Sequence, residues 1–202
     1  IRNSWAYEKL SVLSEAVGIG IPRFAPIAAA AVCMILSTIA ITAPSVSLEG
    51  RTIWLSQTLP VTPWQVLRAK LVHLWVGGIP ALLCGVAVAA ALRLPFPTAV
   101  MTVILPLLFT LLQACFGLFV NLLHPNLTWV SEMTPIKQSL GVLFSLLGGW
   151  GYAALLGVGG YFLTVPVPAW VALLALNLLT ALLSLLLLRW LKGRGARIFA
   201  TL

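Results

Sequence analysis

The chain has 202 residues, of which 61% are hydrophobic and only 8% are charged. A typical soluble domain has roughly 25% charged residues, and a domain of this size has too much surface to hide so much apolar area. Soluble enzymes, disulfide-rich secreted domains and disordered chains are therefore excluded, and we expect an integral membrane protein. The formal net charge of +8 comes from basic residues that lie mostly between or after apolar runs, so they indicate topology rather than nucleic-acid binding.

A helix that crosses a bilayer needs roughly 20 mostly apolar residues. Five stretches meet this requirement, so the predicted fold is all-α and polytopic, with about five transmembrane helices. We divide the chain into an amphipathic lead-in segment (1–23), a transmembrane domain (24–190) and a basic tail (191–202). The predicted spans are 24–43, 71–92, 98–123, 139–165 and 169–188.

The distribution of basic residues predicts which connections face the cytoplasm. If five spans alternate, the connections 45–70 and 124–138 and the residues from Arg189 onward lie on one side and hold eight basic residues, whereas the opposite loops hold one. Cytoplasmic loops concentrate Lys and Arg, so we expect the long connections and the C-terminus to be cytoplasmic. A possible glycosylation pattern at 126–128 points the other way, but eight basic residues outweigh it. The basic residues in 1–23 would then lie outside, unless further spans precede Ile1.

The first long connection has the pattern of two short helices. Pro60 should end the first, because a proline ring removes a hydrogen-bond donor and clashes with the preceding turn. Thr62, Pro63 and Gln65 then form a capping-box start for the second, which we expect to continue into the second span. On the first helix Leu48, Trp54, Leu55 and Leu59 form an apolar face opposite Glu49, Arg51, Ser56 and Gln57.

The second long connection repeats this design. Pro125 ends the third span, Trp129 suits the membrane interface, and Thr134-Pro135 begins a helix with Lys137 and Gln138 in its first turns. Such amphipathic helices either simply lie at the interface or form a cytoplasmic platform for another protein. The pattern alone leaves both interpretations open.

Several functional classes lack their sequence signals. The spans contain no acidic residue, which argues against a proton-coupled transporter, and no GxxxxGK[ST] phosphate-binding loop is present. Cys33, Cys84 and Cys115 lie in apolar stretches without a metal or disulfide pattern, so we expect no cofactor and no metal. Small residues at Gly149, Ala153 and Gly157 recur every four positions and predict close helix packing in the fourth span.

The two connections also carry a pair of signatures. In the first, the residues are Ser47-Leu48-Glu49-Gly50-Arg51, Trp54-Leu55, Leu59-Pro60-Val61, Pro63, Leu67 and Ala69-Lys70. In the second, they are Pro125, Trp129, Glu132 and Lys137-Gln138. This pair, over roughly 26–163, resembles permeases of the bacterial ABC-2 exporter type, and more closely the large ABC exporter permeases of Gram-positive bacteria. Thr128 departs from the acidic or amide residue that such permeases often have there.

The resemblance implies a permease subunit in a bacterial plasma membrane, with ATP hydrolysis in a separate cytoplasmic ATP-binding subunit present in two copies. It implies that 49–60 is a coupling helix and that the chain is the C-terminal half of a longer permease, or pairs with a second permease copy. Glu49 and Arg51 would make polar contacts with the partner, and Trp54 and Leu59 apolar ones. The full set of implied coupling residues is Glu49, Gly50, Arg51, Trp54, Leu59, Pro60, Pro63, Lys70, Trp129, Glu132, Lys137 and Gln138.

Two other classes stay open. The first is a membrane scaffold or assembly protein without transport, and co-purification with an ATP-binding protein would distinguish it from a permease. A membrane transferase would need a polar cluster facing a cavity, and the sequence offers His124, Glu132 and Lys137 close together.

Overall fold

The computed structural model describes residues 8–9, 11–12, 20–39, 41–58, 60–71, 73–127 and 140–202. These residues form helices and turns, and no strand occurs among them. We number the α-helices in chain order: α1 Ala25–Leu36, α2 Ile53–Thr58, α3 Pro63–Lys70, α4 His73–Ala91, α5 Phe96–Leu123, α6 Leu140–Leu163, α7 Ala169–Trp190 and α8 Ala196–Thr201. Two 3₁₀ turns, Ile21–Phe24 and Ser47–Thr52, precede α1 and α2, and a π-helical turn, Leu191–Gly195, joins α7 to α8.

Three helices in the described part are long and apolar enough to cross a membrane. They are Phe96–Leu123, Leu140–Leu163 and the continuous run Ala169–Thr201, which correspond to the last three predicted spans. The first two predicted spans are represented by shorter apolar helices, Ile21–Leu36 and Val76–Ala91. The all-helical prediction is thus confirmed, whereas a count of five full spans is not.

The first apolar helix ends earlier than the sequence pattern predicts. It stops at Leu36 rather than near residue 43, although the following residues include more apolar side chains. The hydroxyls of Ser37 and Thr38 donate hydrogen bonds to the backbone oxygens of Met34 and Ile35, at 2.8 and 2.6 Å. Such side-chain bonds compete with continued helix formation, and the chain then turns toward Val46.

Helix α5 is the central element of the bundle. Of its apolar window 61% is buried, against 33% for the corresponding windows of α6 and α7. It packs against α1, α4, α6 and α7. Phe109 and Leu105 of α5 are almost fully buried in the main apolar core, together with Cys33 of α1, Leu156 of α6 and Leu173 of α7. The outward faces of α4, α6 and α7 expose many large apolar side chains, which suits contact with lipid.

The small-residue stripe on α6 makes a close contact with α1, as predicted. A Cβ atom built at Gly157 would lie 3.0 Å from the Cβ of Ala30, and one at Gly149 would lie 2.8 Å from the Cβ of Ser37. Ala153, between them, is buried in the same core. Small side chains at these positions therefore allow the two backbones to approach.

The two ends of the bundle differ. Arg23 and the loop between α6 and α7 line one surface depression, so they share one end. The 3₁₀ turn Ser47–Thr52 (with Val46), α3, the last turns of α5 and α8 meet at the other end, in a second apolar core. We call the second end the platform end.

Candidate partner-docking platform

The platform comprises residues 47–58 and α3, Pro63–Lys70. The sequence pattern predicts one short helix over 49–60, but the structure has a 3₁₀ turn followed by the six-residue helix α2. Gly50 causes the break, because its backbone has φ 50° and ψ −128°, a conformation that glycine adopts with least strain. Helix α2 ends at Thr58, ahead of Pro60, as the proline predicts.

Helix α3 starts as the sequence predicts. Its first residue is Pro63, and the side-chain oxygen of Gln65 accepts a hydrogen bond from the backbone N–H of Thr62 at 2.8 Å. The hydroxyl of Thr62 donates to the same oxygen at 3.0 Å. The bond from the backbone N–H of Thr62 provides an acceptor for one of the backbone donors that a helix start leaves unpaired. The expected continuation of this helix into the second span is wrong: α3 ends at Lys70, where Leu71 has a non-helical ψ of 14°, and α4 begins at His73.

An ion pair joins the two halves of the platform. The Lys70 ammonium contacts Oε1 of Glu49 and also donates a hydrogen bond to the backbone oxygen of Ser45 at 3.0 Å. Both side chains are largely buried, with 14% of Lys70 and 19% of Glu49 exposed. Glu49, expected from the resemblance to contact a partner, is thus engaged within its own chain. Its Oε2 is buried and has no hydrogen-bond partner in the described part of the chain.

Asn121 attaches the platform to the central helix α5. Its Oδ1 accepts hydrogen bonds from the backbone N–H groups of Val46 and Ser47, at 2.7 and 3.1 Å. Its Nδ2 donates to Oγ of Ser47 at 2.7 Å, and that Oγ accepts another bond from the N–H of Asn126 at 3.0 Å. Asn121 is fully buried. The sequence analysis missed this residue, although an amide near the end of an apolar span was a signal for it, since buried polar groups need partners.

The C-terminal residues form part of the platform's support. Leu67 of α3 is fully buried in one apolar core with Leu191 and Phe199, and α3 packs against α8. Gly195 lies where a Cβ atom would be 3.3 Å from Leu122 of α5. The helix therefore continues across the boundary that the sequence analysis placed at residue 191. The basic tail is helical and packed, with its charged side chains on the outside.

The outer surface of the platform is apolar. Trp54 and Leu55 on α2 are 59% and 56% exposed, and Leu48 and Val61 are also exposed. These residues contrast with Ile53, which points into the platform core and is 7% exposed. An exposed tryptophan on a short helix at the charged end of a bundle is suited to contact with another protein or with the membrane interface.

The other predicted coupling residues have varied positions. Gly50 is buried at the break, and Pro60 is exposed between α2 and α3. Arg51 belongs to the 3₁₀ turn, and nothing is described of its side chain. The remaining predicted residues lie outside the described residues: Leu59, Trp129, Glu132, Lys137 and Gln138.

Exposed basic side chains are concentrated at the platform end. Those outside the ion pair are Arg68, Arg189, Lys192, Arg194 and Arg197. The opposite end has Arg23 and Arg93 within the described residues. Among the described residues, exposed basic side chains are thus more numerous at the platform end than at the opposite end.

The interior of the bundle contains hydroxyl and amide groups that bond locally. Thr102, Thr110, Thr180 and Ser184 each donate to the backbone oxygen four residues earlier. The amide nitrogen of Gln113 donates to the backbone oxygen of Ser145 at 2.9 Å. Among the described residues, no three His, Cys, Asp or Glu side chains are grouped as metal ligands would be.

Comparisons of the chain with protein-family models, with curated proteins and with solved structures find no match. The geometry alone defines the class of protein. Its described residues form helices, three of which are able to cross a membrane, with a packed platform at the basic end of the bundle.

Proposed function

We propose that the chain is a permease subunit of an ATP-driven exporter, in which the platform receives a separate cytoplasmic ATP-binding subunit. The observation that carries the proposal is the combination of an exposed apolar helix with a buried bond network behind it. Trp54 and Leu55 offer the contact surface, and Asn121 links the same platform to the central helix. The signatures in the two long connections support the same assignment.

The platform is built to transmit a displacement. Asn121 makes three short hydrogen bonds to Val46 and Ser47, and a buried amide that loses its partners has a large desolvation cost. Movement of the 3₁₀ turn would therefore carry the end of α5 with it. Since α5 packs against four other helices, its displacement would alter the whole bundle.

A second route leads through the C-terminal residues. Leu67 of α3 is packed with Leu191 and Phe199, which continue α7. A partner that pressed on the platform would thus act on α5 through hydrogen bonds and on α7 through apolar contacts. Close-packed interiors deform little, so such contacts transmit displacement.

The orientation of the charges suits this function. An ATP-binding subunit is cytoplasmic, and the basic side chains near the platform predict that this end faces the cytoplasm. The Glu49–Lys70 pair then has a structural role, holding the 3₁₀ turn against α3, while Trp54 and Leu55 make the contact. This differs from the polar contact that the resemblance assigns to Glu49.

The test is site-directed cross-linking in native membranes. A Leu55→Cys variant in a Cys84→Ala background should cross-link to a nucleotide-binding subunit through a short bifunctional maleimide. A Leu155→Cys variant is the matched control, because Leu155 is equally exposed but lies on the outward face of α6. Mass spectrometry of the adduct identifies the partner.

A functional measurement accompanies the cross-link. Trp54→Ala should lower the ATP hydrolysis that co-purifies with the tagged protein by about tenfold, whereas Trp170→Ala at the opposite end should leave it unchanged. If no ATP-binding protein co-purifies with the tagged protein, the proposal is rejected. That result would favour the membrane scaffold or assembly protein instead.

A further inference from the structure

An apolar groove opens between α5, α6 and α7, apart from the platform's outer surface. Its volume is about 430 Å³, within the usual range of ligand sites. The walls include Phe116 and Phe119 of α5, Gly148 of α6, and Leu183, Leu187 and Trp190 of α7. Two polar side chains that line it are engaged within the bundle: Gln113 bonds to Ser145, and the hydroxyl of Tyr152 lies 2.9 Å from that of Thr180.

The groove exists because α6 has no side chain at Gly148. A Cβ atom there would lie 2.5 Å from Cε1 of Phe116, so the glycine allows the Phe116 ring to rest against α6. The ring is thereby held in the wall of the groove. A larger residue at 148 would push the ring into the space.

The position of the groove corresponds to one leaflet of the bilayer. From Leu183 to Trp190 it follows α7 for seven residues, or about 10 Å at the helical rise of 1.5 Å per residue. Half of a hydrocarbon core of about 30 Å is about 15 Å. The rings of Phe119 and Trp190, with centroids 4.7 Å apart, stand at the platform end. The groove thus extends from the platform-side interface toward the middle of the membrane.

Two exposed basic side chains lie near this outer end. Arg189 precedes Trp190 directly, and Arg194 follows it by about one helical turn, on the same face as the groove-lining residues. Within the described part of the chain, the acidic side chain at this end is Glu49, which is paired with Lys70. The basic residues therefore complement a negative group at the depth of lipid headgroups.

From this juxtaposition we infer that the groove binds one acyl chain of an anionic phospholipid from the platform-side leaflet, whose phosphate contacts Arg189 and Arg194. An apolar chain fits the lining, and a negative headgroup fits the charges. The inference does not depend on the proposed function.

Native mass spectrometry of the full-length protein tests the inference. The protein in mild detergent is mixed with equal amounts of phosphatidylglycerol and phosphatidylcholine that have the same acyl chains. The unaltered protein should retain phosphatidylglycerol preferentially. The double variant Arg189→Gln/Arg194→Gln should lower that preference by about fivefold for each basic residue removed. Leu183→Trp, which fills the groove, should reduce retention of both lipids.

Matched controls separate the groove from general lipid contact. Arg23→Gln removes a basic residue at the opposite end, and Leu155→Trp enlarges a side chain on the outward face of α6; both should behave as the unaltered protein does. Equal retention of the two lipids, or full retention by a folded Leu183→Trp variant, would overturn the inference. So would a stable dimer that excludes lipid from the groove.

A second measurement uses the fluorescence of Trp190, a residue of the groove wall. Phosphatidylglycerol with bromine on its acyl chain should quench the fluorescence of Trp190. Total tryptophan fluorescence should therefore fall less in the Trp190→Phe variant than in the unaltered protein. Brominated phosphatidylcholine should quench the same component at least fivefold less at equal concentration. Quenching of Trp190 that is independent of the headgroup would contradict the anionic assignment.

Discussion

Asn121 and Ser47, separated by 74 residues in the chain, form a bond in which the amide nitrogen of Asn121 donates to the Ser47 hydroxyl at 2.7 Å. The same amide accepts hydrogen bonds from the backbone of Ser47 and of Val46. One buried side chain near the end of the central helix therefore accepts the backbone hydrogen bonds at the start of the platform. Because Asn121 is fully buried in the protein, water is not available to replace these hydrogen bonds.

Replacing Asn121 by alanine should release the start of the platform. Two backbone N–H groups would lose their acceptor, at a cost of about 1–3 kcal/mol each if they stay buried. Hydrogen exchange in a peptide covering residues 41–58 should increase clearly, while a peptide covering 164–172 should not change. Equal exchange of the 41–58 peptide in the variant and the unaltered protein would contradict this account.

The ion pair between Glu49 and Lys70 should contribute measurably to stability. Because both side chains are mostly buried, Lys70→Met should lower the free energy of unfolding by about 1–2 kcal/mol, between the values of exposed and fully buried pairs. Arg68→Met on the same helix is the control, since Arg68 is exposed. A double-mutant cycle with Glu49→Gln isolates the pair, and a coupling energy near zero would reject it.

Gly50 should not tolerate a side chain. Its φ of 50° is strained for other residues, so Gly50→Ala should destabilise the protein by about 1–2 kcal/mol. Gly78→Ala, in helix α4 with open space around it, should be neutral or stabilising, because alanine favours helices. Thermal unfolding in detergent compares the two variants. A Gly50 variant as stable as the unaltered protein would mean that residues 49–60 form a single helix after all.

Adjacent glycines on α6 should respond oppositely to the same change. A Cβ at Gly160 would lie 2.5 Å from the Cβ of Pro26, whereas nothing lies within 4 Å of a Cβ at Gly159. Gly160→Ala should therefore lower the unfolding temperature by several degrees through displacement of α1, at a cost of about 1–3 kcal/mol. Gly159→Ala should not lower it. Similar effects of the two substitutions would contradict the packing of α6 on α1.

The orientation in the membrane is testable by labelling. In a Cys84→Ala background, Thr52→Cys and Ala200→Cys should react with a membrane-impermeant maleimide only after the membrane is opened. Val165→Cys should react in intact cells, because the α6–α7 loop lies at the other end. All three positions are exposed or at loop edges. Labelling of Thr52→Cys in intact cells would show that the platform end faces the exterior. A cytoplasmic partner could then not bind it.

The sequence predicts the ends of the three long helices well and the end of α1 poorly. Helix α5 begins beside Pro97 and ends before Pro125, and α7 begins after Pro168, so local proline chemistry marks these boundaries. No proline directly follows Leu36, and the local signal is weaker: the hydroxyls of Ser37 and Thr38 bond back to the helix. Where the chain goes next depends on the bonds from Val46 and Ser47 to Asn121, contacts between distant residues that no local pattern contains.

The platform was predictable in its composition but not in its connections. The cap at Thr62 and Gln65 follows from neighbouring residues, and it is present. The break at Gly50 depends on a backbone conformation, and the Glu49–Lys70 pair depends on how two segments fold together. Periodicity reports which face of a helix is apolar, whereas it carries no information about which charged groups pair across a turn.

The packing of Phe199 has a practical consequence for handling the protein. Since this ring is almost completely buried beside Leu67, removal of residues 191–202 would uncover the underside of α3. Affinity tags or reporter domains inserted within this segment are therefore expected to disturb the platform. Limited proteolysis of residues 191–202 would serve as a simple gauge of whether a purified sample has kept this packing.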